Sequence, residues 1–125
     1  MNVVIGIGCR KNCPADAIEA LTRQALNRAP DAAPLGMFTV IDKQGEPGLV
    51  EAASRLGLIL TYLSRDALKA RADDVQTRSP LAESLFGVPS VAEAAALAGA
   101  GPASVLIVPR IAANGATCAI AGVAP

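Results

Sequence analysis

The sequence predicts an α/β fold, a three-layer α/β/α sandwich around a mostly parallel five-stranded sheet with an antiparallel last strand. Three observations predict it. Short apolar, β-branched runs such as Val3-Val4-Ile5-Gly6-Ile7 recur along the chain, and parallel strands buried on both faces read as such runs. Between them lie stretches with apolar residues at i, i+3, i+4 and i+7, the period of a helix with one buried face. Strands alternating with helices imply layers of helix on a sheet. Near the end, Asn114-Gly115 is a hairpin signal that turns the last strand back along its predecessor.

Taken in order, the first strand begins at residue 2 and runs into the turn Gly6-Ile7-Gly8. The first helix is expected to start at Pro14, a residue suited to the first helical position, with Cys13 as its cap. Ile18, Leu21, Ala25 and Leu26 form its apolar stripe, while Asp16, Glu19, Arg23 and Arg28 face outward. Pro30 and Pro34 bracket a loop before a second strand over residues 36–41, and residues 42–47 form a polar turn. A helix starts at Pro47, turns Leu49, Ala52, Ala53 and Leu56 inward, and ends at Gly57. A third strand over residues 58–62 follows, then a short helix capped by Ser64 and running through Ala70.

Residues 71–89 turn polar and irregular, with Pro80, Gly87 and Pro89, the profile of a long loop that serves as a functional lid. Ser90 and Glu93 fit a capping box and open an Ala-rich helix that runs to about Ala98. The fourth strand spans residues 103–108 and the last 116–123. There is no internal repeat, low-complexity tract or linker, so residues 1–125 form one domain.

Composition narrows the function classes. The chain is 52% apolar but has only three aromatic residues, Phe38, Phe86 and Tyr62, so Ala, Val, Ile and Leu must build the core. Eleven basic and eleven acidic residues cancel, and no basic patch is interleaved with aromatics. Nucleic acid is therefore not an expected partner. No apolar run reaches the roughly 18 residues of a transmembrane helix, and no charged segment precedes the N-terminal apolar run. Neither a membrane nor a signal peptide is expected. Three cysteines, an odd number, give no disulfide framework, and the expected location is cytoplasmic.

The most informative segment is Gly6-Ile7-Gly8-Cys9-Arg10-Lys11. In an open α/β sheet, ligands bind in the crevice beyond the carboxyl ends of the strands. Amides at a helix start favour anions, and the cations Arg10 and Lys11 reinforce that preference. The expected ligand-binding residues are Gly6, Gly8, Cys9, Arg10 and Lys11. Asp42, Lys43 and Glu46 follow the second strand on the same carboxyl edge, and Ser90 joins them if residues 71–89 fold over as a lid. Lys11 takes the place of the third glycine of a dinucleotide fingerprint, and no Walker pattern exists. The plain alternative is that Gly6 and Gly8 only permit a tight turn.

The other polar groups have competing readings too. Asp42, Lys43 and Glu46 could supply acid–base groups, or they could be a solvated turn with Glu46 near a helix dipole. Cys9 lacks the histidine that would act as its base, which favours a small residue packed at a turn. Cys9 and Cys13 lie four apart, but Cys118 is the only other thiol, too few ligands for a zinc tetrahedron. No metal and no cofactor are expected. For Ser90 and Glu93 the capping box is a sufficient account.

With these residues placed, the chain resembles the family that comprises CobE and the C-terminal domain of CbiG, proteins of cobalamin biosynthesis. The resemblance rests on Gly6-Ile7-Gly8-Cys9-Arg10, on Ile41-Asp42-Lys43 with Glu46-Pro47-Gly48-Leu49, on Ser90-Val91-Ala92-Glu93-Ala94-Ala95-Ala96, and on Thr117-Cys118-Ala119-Ile120-Ala121. As a stand-alone domain it is more similar to CobE, of the aerobic corrin pathway. The family often has a further basic residue, Gly and Ser/Thr after the first Arg, where this chain has Lys11-Asn12-Cys13-Pro14. The resemblance implies a tetrapyrrole ligand, a precorrin or corrin intermediate with carboxylate arms, and possible contacts with other enzymes of that pathway. Two roles stay open: a protein that binds or hands on the intermediate, and a hydrolase-like enzyme acting on it, as CbiG-type proteins open a lactone ring. A scaffold contacting pathway enzymes is the plainest third.

Overall fold

The computed structural model describes residues 1–123. Five strands, β1 (Asn2–Cys9), β2 (Ala33–Val40), β3 (Leu60–Leu63), β4 (Ser104–Ala113) and β5 (Ala116–Val123), form one sheet in the order β3-β2-β1-β5-β4. β1, β2 and β3 are parallel; β5 runs antiparallel to both β1 and β4. Four strands therefore share one direction, and the last strand opposes them from between β1 and β4. Asn114 (φ 53°) and Gly115 (φ 86°) both take positive φ in the β4–β5 turn, as the hairpin signal requires.

The helices α1 (Ala15–Asn27) and α2 (Pro47–Leu56) cover one face. Their apolar stripes meet Val3, Ile5 and Ile7 of β1 and Cys118 and Ile120 of β5, all fully buried or nearly so. The other face is built from small residues. Helix α5 (Val91–Ala100) lies on Gly6 and Gly8 of β1 and on Ala119 and Ala121 of β5, through its own alanines. Val91 to Leu97 are buried all round, as expected of a helix with no polar face. Gly6 is essential to this contact. A Cβ there would fall on the Ala92 carbonyl oxygen and lie 2.6 Å from the Ala96 nitrogen.

The elements differ from the sequence reading at some ends. α1 starts at Ala15, and its N-cap is Pro14 rather than Cys13. The Pro14 carbonyl already accepts from the Ala17 and Ile18 amides, whereas the Cys13 thiol turns toward the Pro14 and Asn114 carbonyls. β2 begins at Ala33, because Pro34 sits near a strand start, where a missing amide is tolerated. β3 starts later, at Leu60. β4 runs five residues beyond 108, to Ala113, and its register shifts on either side of Val108, next to Pro109, which has no N–H for the ladder.

Residues 71–89 are not a simple loop. After α3 (Arg65–Lys69) and a single 3-10 turn, Ser79 caps a helix, α4 (Pro80–Phe86), which Gly87 ends at φ 73°. Arg71 anchors this segment from behind. Its guanidinium donates to the Leu97, Gly101 and Ser104 carbonyls at 2.7–3.1 Å, satisfying acceptors at the end of α5 and the start of β4.

Replacing Gly6 with Ala should destabilise the domain by at least about 1–3 kcal/mol through overpacking, read as a lower Tm in thermal unfolding. A Tm unchanged from wild type would mean that α5 does not sit this close to β1. Ser90→Ala removes the hydroxyl that accepts from the Glu93 amide at 3.3 Å, and should cost about 1 kcal/mol in the same assay.

Candidate functional site

The connections β1–α1–β2–α2–β3 move across the sheet in one direction, and the chain then returns over the opposite face through α5 to β4. Such a reversal opens a crevice at the carboxyl end of the strand where it occurs. Here that strand is β1. A pocket of about 690 Å³ occupies this place, within the usual size range of ligand sites. Gly8, Cys9, Arg10 and Lys11 form its floor, and the β4–β5 hairpin forms one wall through Arg110 and residues 112–117. Ser90 and Val91, at the start of α5, form the back, and α4 covers it with Ser79, Leu81, Ala82, Leu85 and Phe86.

Gly8, Cys9, Arg10, Lys11, Lys43 and Ser90 of the expected site are thus brought together in one pocket. Gly6, Asp42 and Glu46 are not on its wall. Gly6 lies under α5. Asp42 grips Arg65, accepting two hydrogen bonds at 2.5 and 3.0 Å. The bonds from Arg65 hold its carboxyl below the usual carboxylate range. Arg65 and Lys43 both lie over the Phe86 ring, 5.7 and 5.4 Å from its centre, so the Asp42 turn holds the end of α4 in place. Glu46 accepts from the Asn12 amide at 2.6 Å. Asn12 has φ 62°, a left-handed position that Asn tolerates better than other side chains. Glu46 therefore braces the turn that carries Arg10 and Lys11.

The helix start that faces the pocket also differs from expectation. The start of α1, with Pro14 and Ala15, opens on a separate groove beside Asp16, Glu51 and Arg55, and the pocket instead receives the start of α5. The reason is topological: α1 leaves β1 for the face opposite α5.

Charge is sorted sharply. Arg10, Lys11, Lys43 and Arg110 line the pocket, and none of the four is in an ion pair among the described residues. Among the described residues no Asp or Glu lines it. The remaining wall is mostly apolar, with Leu81, Leu85, Phe86 and Val91, and its neutral polar groups are Ser79, Ser90, Asn114 and Thr117. The sequence reading did not single out Leu81, Leu85, Phe86 or Arg110 as ligand-contacting. Two signals pointed that way: the Pro80 helix start after Ser79, and the cation Arg110 just before Asn114-Gly115.

The matches to known proteins agree with this fold. Residues 3–121 match the family described as "Cobalamin synthesis G C-terminus". This chain belongs to that family. It is 35% identical over 123 residues to Protein CobE of Sinorhizobium sp, a match covering 96% of this chain and 79% of that protein. The crystal structure of CobE, a protein from the cobalamin (vitamin B12) biosynthetic pathway, superposes with a TM-score of 0.89 at 30% identity, over 95% of this chain and 88% of that one. The cobalamin biosynthesis protein chiG of Agrobacterium tumefaciens gives a TM-score of 0.76 at 37% identity, over 98% and 99% of the two chains. The α/β/α architecture and the place in cobalamin biosynthesis are those of the family.

Burial works against the thiolate form of all three cysteines. Burial pushes Cys9 up to about 11, an effect that nearby Lys43 only partly offsets. Burial also raises Cys13, and it pushes Cys118 up to about 12. The thiolate is the reactive form. Alkylation of Cys9 by iodoacetamide in the folded protein should therefore be slow at pH 7–8 and should rise steeply only toward pH 11. A rate that saturates near the ordinary cysteine range of about 8.5 would show an activated thiol instead.

Proposed function

We propose that this protein binds a tetrapyrrole intermediate of cobalamin biosynthesis, a precorrin or corrin, in the pocket at the end of β1, and holds it for transfer to the next pathway enzyme. One observation carries this reading: four cations without carboxylate partners surround an apolar pocket that contains no acid. A flat apolar macrocycle with acetate and propionate arms has the matching chemistry. Its ring fits against Leu81, Leu85, Phe86 and Val91, while its arms meet Arg10, Lys11, Lys43 and Arg110. Gly8, Ala112, Ala113, Gly115 and Ala116 leave room for the ring edge, and Cys9 and Ser90 add small polar contacts. Membership of the cobalamin synthesis family supports the ligand class.

Binding and transfer, rather than turnover, is favoured by where the acids lie. Asp42 and Glu46, with Lys43 the sequence candidates for acid–base work, are committed to Arg65 and to the Asn12 amide, outside the pocket wall. A reducing, cytoplasmic setting suits the three free thiols.

Cobyrinic acid, a corrin with free acid arms, is a suitable probe, and its methyl ester is the uncharged control. Charge-assisted hydrogen bonds are worth about 1.5–3 kcal/mol each. Arg10→Ala should therefore weaken the acid's binding about ten- to a hundredfold in a fluorescence or absorbance titration. The ester should bind more weakly than the acid, and added salt should weaken only the acid. Equal affinities for wild type and Arg10→Ala, for acid and ester and at low and high salt would remove the anion site. Incubation with pathway intermediates, followed by mass, would show conversion if the protein is an enzyme.

A further inference from the structure

Glu93 is fully buried, yet it is in no ion pair among the described residues. The capping box accounts for its amide, which donates to Ser90 Oγ, but not for its carboxylate. In a capping box that side chain would fold back onto the amide of the cap residue. Here it reaches away from its own helix to two other segments. Oε1 accepts from the Gln76 and Thr77 amides at 2.9 and 2.8 Å. Oε2 accepts from the Thr77 hydroxyl at 3.1 Å and from the Arg110 amide at 2.9 Å.

Both segments lead to the pocket. Residues 76 and 77 lead directly into Ser79 and α4, the cover, and Arg110 stands on β4 beside Pro109, within the irregular stretch between Val108 and Ile111 where the ladder with β5 is interrupted. A strand residue at such an irregularity lacks the regular ladder that would otherwise fix its orientation. The Glu93 carboxylate takes over that task and ties the cover to the same point. An unpaired buried carboxylate would be costly without such donors, and backbone amides supply them.

We infer that Glu93 is a positioning residue for the anion pocket, which holds Arg110 of β4 and the α4 cover at the distance where both meet one ligand. It touches no ligand itself and acts through Arg110 and residues 76–77. This inference rests on the tetrapyrrole-binding reading of the pocket.

The test is a double-mutant cycle on cobyrinic acid affinity, with Glu93→Gln and Arg110→Ala singly and together. The side-chain amide introduced by Glu93→Gln can keep its oxygen toward the Gln76 and Thr77 amides, but its NH2 group then opposes the Arg110 N–H. Glu93→Gln should weaken binding about three- to tenfold, and Arg110→Ala about tenfold or more. In the Arg110→Ala background, Glu93→Gln should add little further loss, because the residue it positions is gone. The Arg110 amide proton resonance should also move upfield in Glu93→Gln, as its bond to a carboxylate is lost. If Glu93→Gln does not fold at the assay temperature, Thr77→Val replaces it in the cycle. It loosens the same Oε2 that holds the Arg110 amide, and should give a smaller loss that shrinks in Arg110→Ala. Losses that simply multiply, or unchanged affinity in the Glu93 or Thr77 variant, would overturn the inference while leaving the pocket reading intact. Failure of wild type to bind the acid would overturn both, and the two failures are thereby distinguished.

Discussion

The contact between α5 and the small-residue face of the sheet governs the rest of the structure. Gly6 and Gly8 of β1 and Ala119 and Ala121 of β5 remove side-chain bulk from one side of the central strands, and an alanine-rich helix settles onto them. Close packing of this kind leaves no room for adjustment, so the position of α5 along and above β1 is strongly restricted. Its first turn therefore arrives at the carboxyl end of β1, beside Cys9 and Arg10. Ser90 then lies on the pocket wall, and Glu93, one turn further, is aimed between the cover and β4. The opposite face shows the complementary solution. There Val3, Ile5, Ile7 and Ile120 fill the space beneath α1 and α2, and stability comes from buried volume rather than close backbone approach.

A chain with zero formal charge nonetheless carries a strongly basic pocket, because its acids are used elsewhere. Asp16, Glu19 and Glu51 gather around Arg55 on the outer face of α1 and α2. Asp42 holds Arg65, Asp74 holds Arg71, and Glu83 holds Arg78. Glu46 and Glu93 bind backbone amides. What remains at the end of β1 is positive and partly apolar. That combination recognises an amphipathic anion more readily than a small inorganic one, since the low-dielectric wall strengthens each charge contact and offers a surface to the ligand's ring. The residues around the pocket thus divide the work. Arg10, Lys11, Lys43 and Arg110 are free of ion pairs among the described residues, whereas Asp42 is bound to Arg65, Glu46 to the Asn12 amide, and Glu93 to the amides of Gln76, Thr77 and Arg110.

The family relationship and the physical reading support one another at different levels. Matching nearly the whole chain to cobalamin-synthesis proteins establishes the fold and the pathway. The left-handed backbone at Asn12 is physically mild. Asn is among the few non-glycine residues that accept positive φ, and the Glu46 bond to its amide stabilises the same turn.

Local signals in the sequence determined the secondary structure well wherever the physical cause was itself local. β-branched runs, helical apolar stripes, the Ser90 cap and the Asn114-Gly115 turn each depend on neighbours a few residues away, and each of these elements is present, although strand ends shift by up to five residues and the expected Gly6-Ile7-Gly8 turn is the continuing strand β1. The same holds for the gathering of Gly8, Cys9, Arg10, Lys11 and Lys43 at one sheet edge, which follows from parallel strands alone. Only the tertiary structure decided the rest. Gly6 reads equally well as turn or ligand glycine until α5 is laid upon it. The helix over Pro80–Phe86 is short and polar in part, and depends on Phe86 being gripped by Lys43 and Arg65 from a distant turn. Whether Asp42, Glu46 and Glu93 face a ligand or brace the frame depends on partners 16 to 34 residues away. A sequence records which groups need partners. The packing of sheet and helices decides which partners come within reach.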